Sequence, residues 1–297
     1  GMAAIRPNNQ HINASLYVDA GAGYDERTTL DFCPSASLKN DIGYMDSSFE
    51  LESVAEFELL QVNHRIQVND EIMAFVSFDA VTNVITVKRG CFDTVPQKHS
   101  AGSKIFGWDN YSGIDDLEYL SGEVVSLKAL TLTGSDLLEL NVATTHSMTL
   151  SNRAIRPYPP ANVKINGEYW PSFIEDHLAL TWAHRNRLQQ TGGEVLSWFN
   201  EDVTSETGVT YKVKIFDDET DLTIHELSEI TANNIVIDAQ FLAPRTRIEL
   251  FSVRDGYESL QKFEHIFSTE ALDAPYNLKL KYMPDVTAPY DLKLEYL

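Results

Sequence analysis

The stretch that most restricts this chain is Arg153–Gly167, RAIRPYPPANVKING, read with Leu178–Arg187, LALTWAHRNR, just behind it. Pro157, Pro159 and Pro160 each fix φ and lack a backbone donor, so the segment cannot lie inside a helix or a central strand. It reads as a semi-rigid extended spacer. Behind it the pattern alternates. Val163 and Ile165 stand between polar neighbours, Asn166-Gly167 supplies a turn, and Leu178, Leu180 and Trp182 share one face of a strand. The chain after residue 160 is therefore expected to form a β-sandwich whose core is seeded by Trp182.

The remaining half agrees. Tyr211–Phe216, Asp221–Leu227, Asn234–Ala239, Arg247–Arg254 and Ser259–Phe267 alternate as strands, and Asp255-Gly256 marks a hairpin turn before the last. The connection from Ala183 to Gly208 is long for a sandwich and carries Arg185, Arg187, Trp198 and Phe199, and such loops tend to be functional or mobile. Asp217, Asp218, Glu219 and Asp221 crowd one turn without the spacing of a calcium loop, so they read as solvated turn residues.

Upstream, strand signals are dense from Phe49 to Trp108. Phe49–Leu60 fits a strand or a short helix and is assigned as strand because all that follows is β. Arg65–Gly90 breaks at Asn69-Asp70 and turns at Thr82-Asn83, which makes a β-meander. Ser103–Trp108, Gly122–Leu130 and Leu137–Val142 are expected as further strands. The chain thus reads as all-β: a weakly patterned segment 1–48, a meander or barrel-like domain 49–150, a proline-rich linker 151–160, a sandwich 161–268 and a repeated terminal segment 269–297. Ile12–Val18 is one strand candidate in the first segment. Gly21-Ala22-Gly23 is a turn without the lysine and hydroxyl residue of a phosphate loop.

Arg89–Gly102, RGCFDTVPQKHSAG, interrupts the meander and brings Arg89, Asp93 and His99 into one loop, types suited to acid–base chemistry. A structural role is expected instead. Gly90 and Gly102 allow unusual backbone angles, Asp93 and Thr94 shape the loop, and Arg89 or His99 pins it by donating to carbonyls.

A net charge of −21 repels nucleic acid, and no apolar run approaches the roughly 18 residues of a membrane-spanning helix. No secretory leader is visible, and Gly1 before Met2 reads as a remnant of tag removal. Cys33 and Cys91 fit neither a disulfide framework nor a metal site, and no motif for catalysis, metal or cofactor is present. At the end, Ala274–Tyr282 (APYNLKLKY) is echoed by Ala288–Tyr296 (APYDLKLEY), each with apolar residues on one face of a strand, which must pack on this protein, on another copy or on a partner.

The proline-led opening, the short first strand and the inward tryptophan of the second resemble a fibronectin type III domain. With Leu180–Phe199 and Glu206–Phe216, and with Glu71–Phe106 upstream, they resemble the tail-tip or baseplate proteins of long-tailed bacteriophages, prophages and gene transfer agents. The resemblance spans roughly Phe49 to Phe267. It implies a structural, non-enzymatic subunit of a virion tail, made in the bacterial cytoplasm and joined to other tail proteins. The alternative is a module that binds a host-surface glycan or protein, with Trp170, Trp198 and Phe199 as the aromatic platform and Arg185 and Arg187 beside it.

Overall fold

A computed structural model describes residues 1–190, 194–200 and 203–269. The terminal repeat lies outside the described residues. The chain is all-β, with only short 3₁₀ turns between strands. It begins with Met2–Ala3 (β1), His11–Asp19 (β2) and Asp25–Leu30 (β3). Six strands then close a barrel: Ser35–Leu38 (β4), Ser48–Ala55 (β5), Arg65–Val68 (β6), Glu71–Asp79 (β7), Val84–Lys88 (β8) and Lys104–Phe106 (β9). The chain returns through Ser112–Gly113 (β10), Val124–Thr133 (β11) and His146–Thr149 (β12). The sandwich follows as Ala161–Ile165 (β13), Leu178–Ala183 (β14), Thr210–Asp217 (β15), Leu222–Ile230 (β16), Asn234–Ile237 (β17), Arg245–Arg254 (β18), Tyr257–Glu258 (β19) and Phe263–Ser268 (β20).

The barrel order is β4-β5-β8-β7-β6-β9, closed because β9 pairs with both β4 and β6. Closure removes the free edges that a meander would otherwise leave. Leu38, Leu51, Ile66, Val68, Met73, Ile85 and Ile105 fill it. Strand β7 is buried on both faces: Met73 and Phe75 point into the barrel, while Ile72 and Ala74 pack outward against Cys91. Cys33 and Cys91 are free and buried, and burial pushes their thiols up to about 11 and about 12.

The N-terminal segment is more regular than its sequence suggests. Strand β2 lies between β11 and β3 in a four-stranded sheet, order β12-β11-β2-β3, with Leu16 paired to Ala129 and Val18 to Leu127. Residues 1–48 therefore divide, β2 and β3 joining strands beyond residue 120 while β4 enters the barrel. The strand expected at Leu137–Val142 does not form. Those residues turn, and β12 takes the place beside β11. Lys128, buried on β11, donates from Nζ to the Leu140 carbonyl at 2.6 Å, and this contact suits a turn folded over the sheet.

In the sandwich a sheet β13-β14-β17 faces a sheet in which β15 and β18 lie between edge strands β16 and β20. With the two-residue β19 and with β20, both on the far side of β18, counted together as one edge, this is the three-plus-four order of a fibronectin type III-like sandwich. Asn166-Gly167 and Asp255-Gly256 have positive φ at both residues, as a two-residue hairpin turn requires. The crowded acids are used locally. Asp217 accepts the N–H groups of Glu219 and Thr220, and Asp218 and Asp221 pair with Arg245 and Arg247. Trp182 is buried with Leu178, Leu180, Tyr211 and Ile215. Trp182→Ala is expected to cost roughly 3–5 kcal/mol in urea unfolding, and an unchanged midpoint would remove it from the core.

Candidate functional site at the joint between barrel and sandwich

The loop Arg89–Gly102 is the polar centre of the molecule, and its hub is a residue that the sequence reading passed over. Glu71 opens β7 and is wholly buried. Its Oε1 accepts Arg89 Nε at 2.7 Å and the Gly90 N–H at 2.9 Å. Its Oε2 accepts Arg89 Nη2 at 2.9 Å, the Gln97 N–H at 2.9 Å and His99 Nε2 at 2.8 Å. Asn69 Nδ2 lies 3.1 Å from His99 Nδ1, which makes Nδ1 the acceptor and Nε2 the protonated donor to Glu71. The rest of the guanidinium donates to the carbonyls of Gly43, Asp46 and Gln97. Arg89 thus pins the loop to carbonyls as expected, whereas His99 donates to a carboxylate.

Burial alone would raise the Glu71 pKa. Hydrogen bonds from Arg89 and His99, then the Arg89 charge and the Gln97 N–H, outweigh it and hold the carboxyl below its ordinary value. A buried carboxylate with five donors has no face left for a substrate, so the cluster's chemistry is that of a clamp.

The rest of the loop extends the clamp into the linker. Thr94 Oγ1 donates to the Cys91 carbonyl and accepts the Ile72 N–H. Asp93 does not bond its own loop. It takes Arg153 in a two-point ion pair at 2.5 and 2.8 Å, tying the linker to the barrel. Pro157, Pro159 and Pro160 are buried, so the expected spacer is a docked strap. Gly102 stands apart, at φ +80°, in the turn before β9.

The long sandwich connection closes on the same loop. Trp198 N–H and Ser197 Oγ both donate to the Arg89 carbonyl, and Lys88 Nζ donates to the Val195 carbonyl. Gly90 has φ +57°, and a Cβ there would fall 2.5 Å from Pro96 Cδ and 2.8 Å from Trp198 Cβ. Only glycine fits beneath Trp198. Arg185 is buried and donates to the carbonyls of Gly90 and Phe92, and burial pulls its pKa down. Arg187 pairs with buried Glu206 and donates to the Ala154 carbonyl.

These positions correct the expected aromatic platform. Trp198 is fully buried, with Nε1 donating to the Pro160 carbonyl. Trp170 lies between two rings, stacked on Tyr44 at 4.5 Å and on Trp198 at 5.1 Å, so neither of its faces is free for a sugar. Phe199 is half-buried, edge-on to Trp198 and Tyr169. Arg185, expected at an interface with a partner, lies instead at the interface within the chain. The structure therefore brings Arg89, Gly90, Asp93, Thr94 and His99 together with Arg185, Trp170 and Trp198. Their apolar and π surface serves the joint.

No protein-family model and no curated protein matches the sequence. Among solved structures the chain is similar to a two-domain fibronectin type III segment of chicken tenascin, 10% identical with a TM-score of 0.25, over 69% of this chain and 97% of that one. It is also similar to the FN1–FN3 domains of chicken CNTN1, 6% identical with a TM-score of 0.24, over 80% of this chain and 64% of that one. The fibronectin type III-like character of the sandwich rests on its own strand order.

Proposed function

We propose that this chain is a non-catalytic structural component of a bacteriophage or prophage tail, at the tip or baseplate, where it holds neighbouring proteins. The resemblance of Glu71–Phe106 and Leu180–Phe216 to tail-tip proteins suggests it. The observation that carries it is the buried clamp: Glu71, Arg89 and His99 are spent on fixing a loop whose Arg89, Gly90 and Phe92 carbonyls and Asp93 carboxylate hold the sandwich and the linker. Such a weld fixes the geometry of two β units, as a load-transmitting part needs. The alternative, recognition of a host glycan, would require an open aromatic face, and Trp170 and Trp198 have theirs covered.

The test is to induce prophage particles from the source bacterium, separate long-tailed particles on a density gradient and probe the fractions with antibody to this protein. The protein is expected to sediment with tails. Its absence from intact, tailed particles would overturn the proposal.

A further inference from the structure

A second feature of the joint is open. A cleft of about 940 Å³ runs between the barrel loop and β20, lined by Tyr44, Val95, Pro96 and Lys98 on one wall and by Leu260, Glu264 and Ile266 on the other. Gln261 bridges its walls, accepting the Val95 N–H and donating to the Asp70 carbonyl.

Strand β20 is an edge strand, bonded to β18 on one side. At its end Ser268 turns its N–H and carbonyl outward, to Ser172 and Ile174. In an antiparallel ladder the outward groups fall on alternate residues, so Glu264 and Ile266 present their N–H and carbonyl groups on that same side. Among the described residues neither has a backbone partner beyond β18. The cleft therefore contains an unpaired strand edge with polar main-chain groups two residues apart, flanked by half-exposed apolar side chains at Leu260 and Ile266. That is the template for adding a strand.

Among the described residues the cleft carries one lysine without an ion pair, Lys98. Lys98 and Lys262 line the cleft beside Glu264, and Lys262 is already paired with Glu249 and Glu258, in a protein of net charge −21. Lys98 is exposed, forms no ion pair among the described residues, and holds its Nζ 5.1 Å from the Tyr44 ring. We infer that this cleft takes an extended acidic segment of a partner protein, apolar at alternate positions, as an added strand on the edge of β20. Main-chain hydrogen bonds to Glu264 and Ile266 give affinity, Leu260, Val95 and Pro96 receive the apolar side chains, and Lys98 selects for acid. The inference does not depend on the tail reading.

The test is fluorescence anisotropy on the full chain with labelled peptides of alternating valine and glutamate, of alternating valine and lysine, and an acidic peptide N-methylated at alternate residues. The acidic peptide is expected to bind, with the other two weaker by about tenfold or more. Ile266→Pro removes the outward N–H without touching the β18 ladder and is expected to weaken binding comparably. Lys98→Glu, on the opposite wall, is expected to invert the preference between acidic and basic peptides. Equal binding of the N-methylated peptide, or no binding by any peptide, would overturn the inference. So would binding that appears only after removal of residues 270–297, which would give the edge to the chain's own end, and so would capture of neutral oligosaccharides in place of peptides.

Discussion

Glu71→Ala is expected to cost about 3–5 kcal/mol, because it leaves the Arg89 guanidinium buried without its counter-ion. The same change strands the N–H groups of Gly90 and Gln97 and the Nε2 of His99, so the loop loses the group that organises it. Glu71→Gln keeps the shape and is expected to lose less, since its amide still accepts on one side. Acid should act in the same direction. The folded carboxyl is held below the ordinary 4.5 against the effect of burial. A carboxyl depressed by folding contributes stability that is complete above the unfolded value and is lost as pH falls through the folded one. Stability should therefore drop as pH falls below about 4.5, and the drop should be shallower in Glu71→Gln. Urea unfolding at neutral and acid pH measures both. A Glu71→Ala variant within about 0.5 kcal/mol of the parent would mean that the clamp contributes nothing.

Local rules made half of this structure legible. Three prolines, two Asx-Gly turns and period-two alternation mark the sandwich, and each acts through sterics within a few residues. The barrel was expected as a meander or barrel-like domain, but how it closes was not legible, because closure depends on β9 meeting β4 and β6 across more than thirty residues of chain. Strands β2 and β11 were both visible but their pairing was not, since neither segment names its distant partner. Leu137–Val142 shows how alternation misleads: the segment turns instead of pairing as a strand, and Leu137 and Val142 are left exposed. Glu71 had a signal, an acid at the head of the apolar run Ile72–Val76, but its partner Arg89 lies in the loop that follows another strand. Tyr44, Lys98 and Gln261 carried none, because a cleft between units is made by docking alone. The aromatic residues were found but misplaced. Trp170, Trp198 and Phe199 look alike in sequence whether they face a ligand or the other half of the chain.

That ambiguity sets the last expected result. Trp198→Ala should be as costly as Trp182→Ala, about 3–5 kcal/mol, but should fail differently. Trp182 belongs to the sandwich interior, so its loss weakens that unit from within. Trp198 belongs to both units. Its N–H bonds the Arg89 carbonyl, its carbonyl accepts the Asn162 N–H, its indole bonds the Pro160 carbonyl, and its ring stacks on Trp170 and Phe263. Removing the ring opens the space above Gly90 and unseats Trp170, whose other face holds the barrel through Tyr44. The parent is expected to melt in a single calorimetric transition, because the joint couples barrel and sandwich. Trp182→Ala should melt earlier with the sandwich still coupled to the barrel, whereas Trp198→Ala should resolve into two transitions, the barrel keeping its own. If both variants melt in one step at the same temperature, Trp198 is an ordinary core residue and the weld lies elsewhere; if Trp198→Ala alone splits the transition, the long connection from Ala183 to Gly208 is what makes the two units one body.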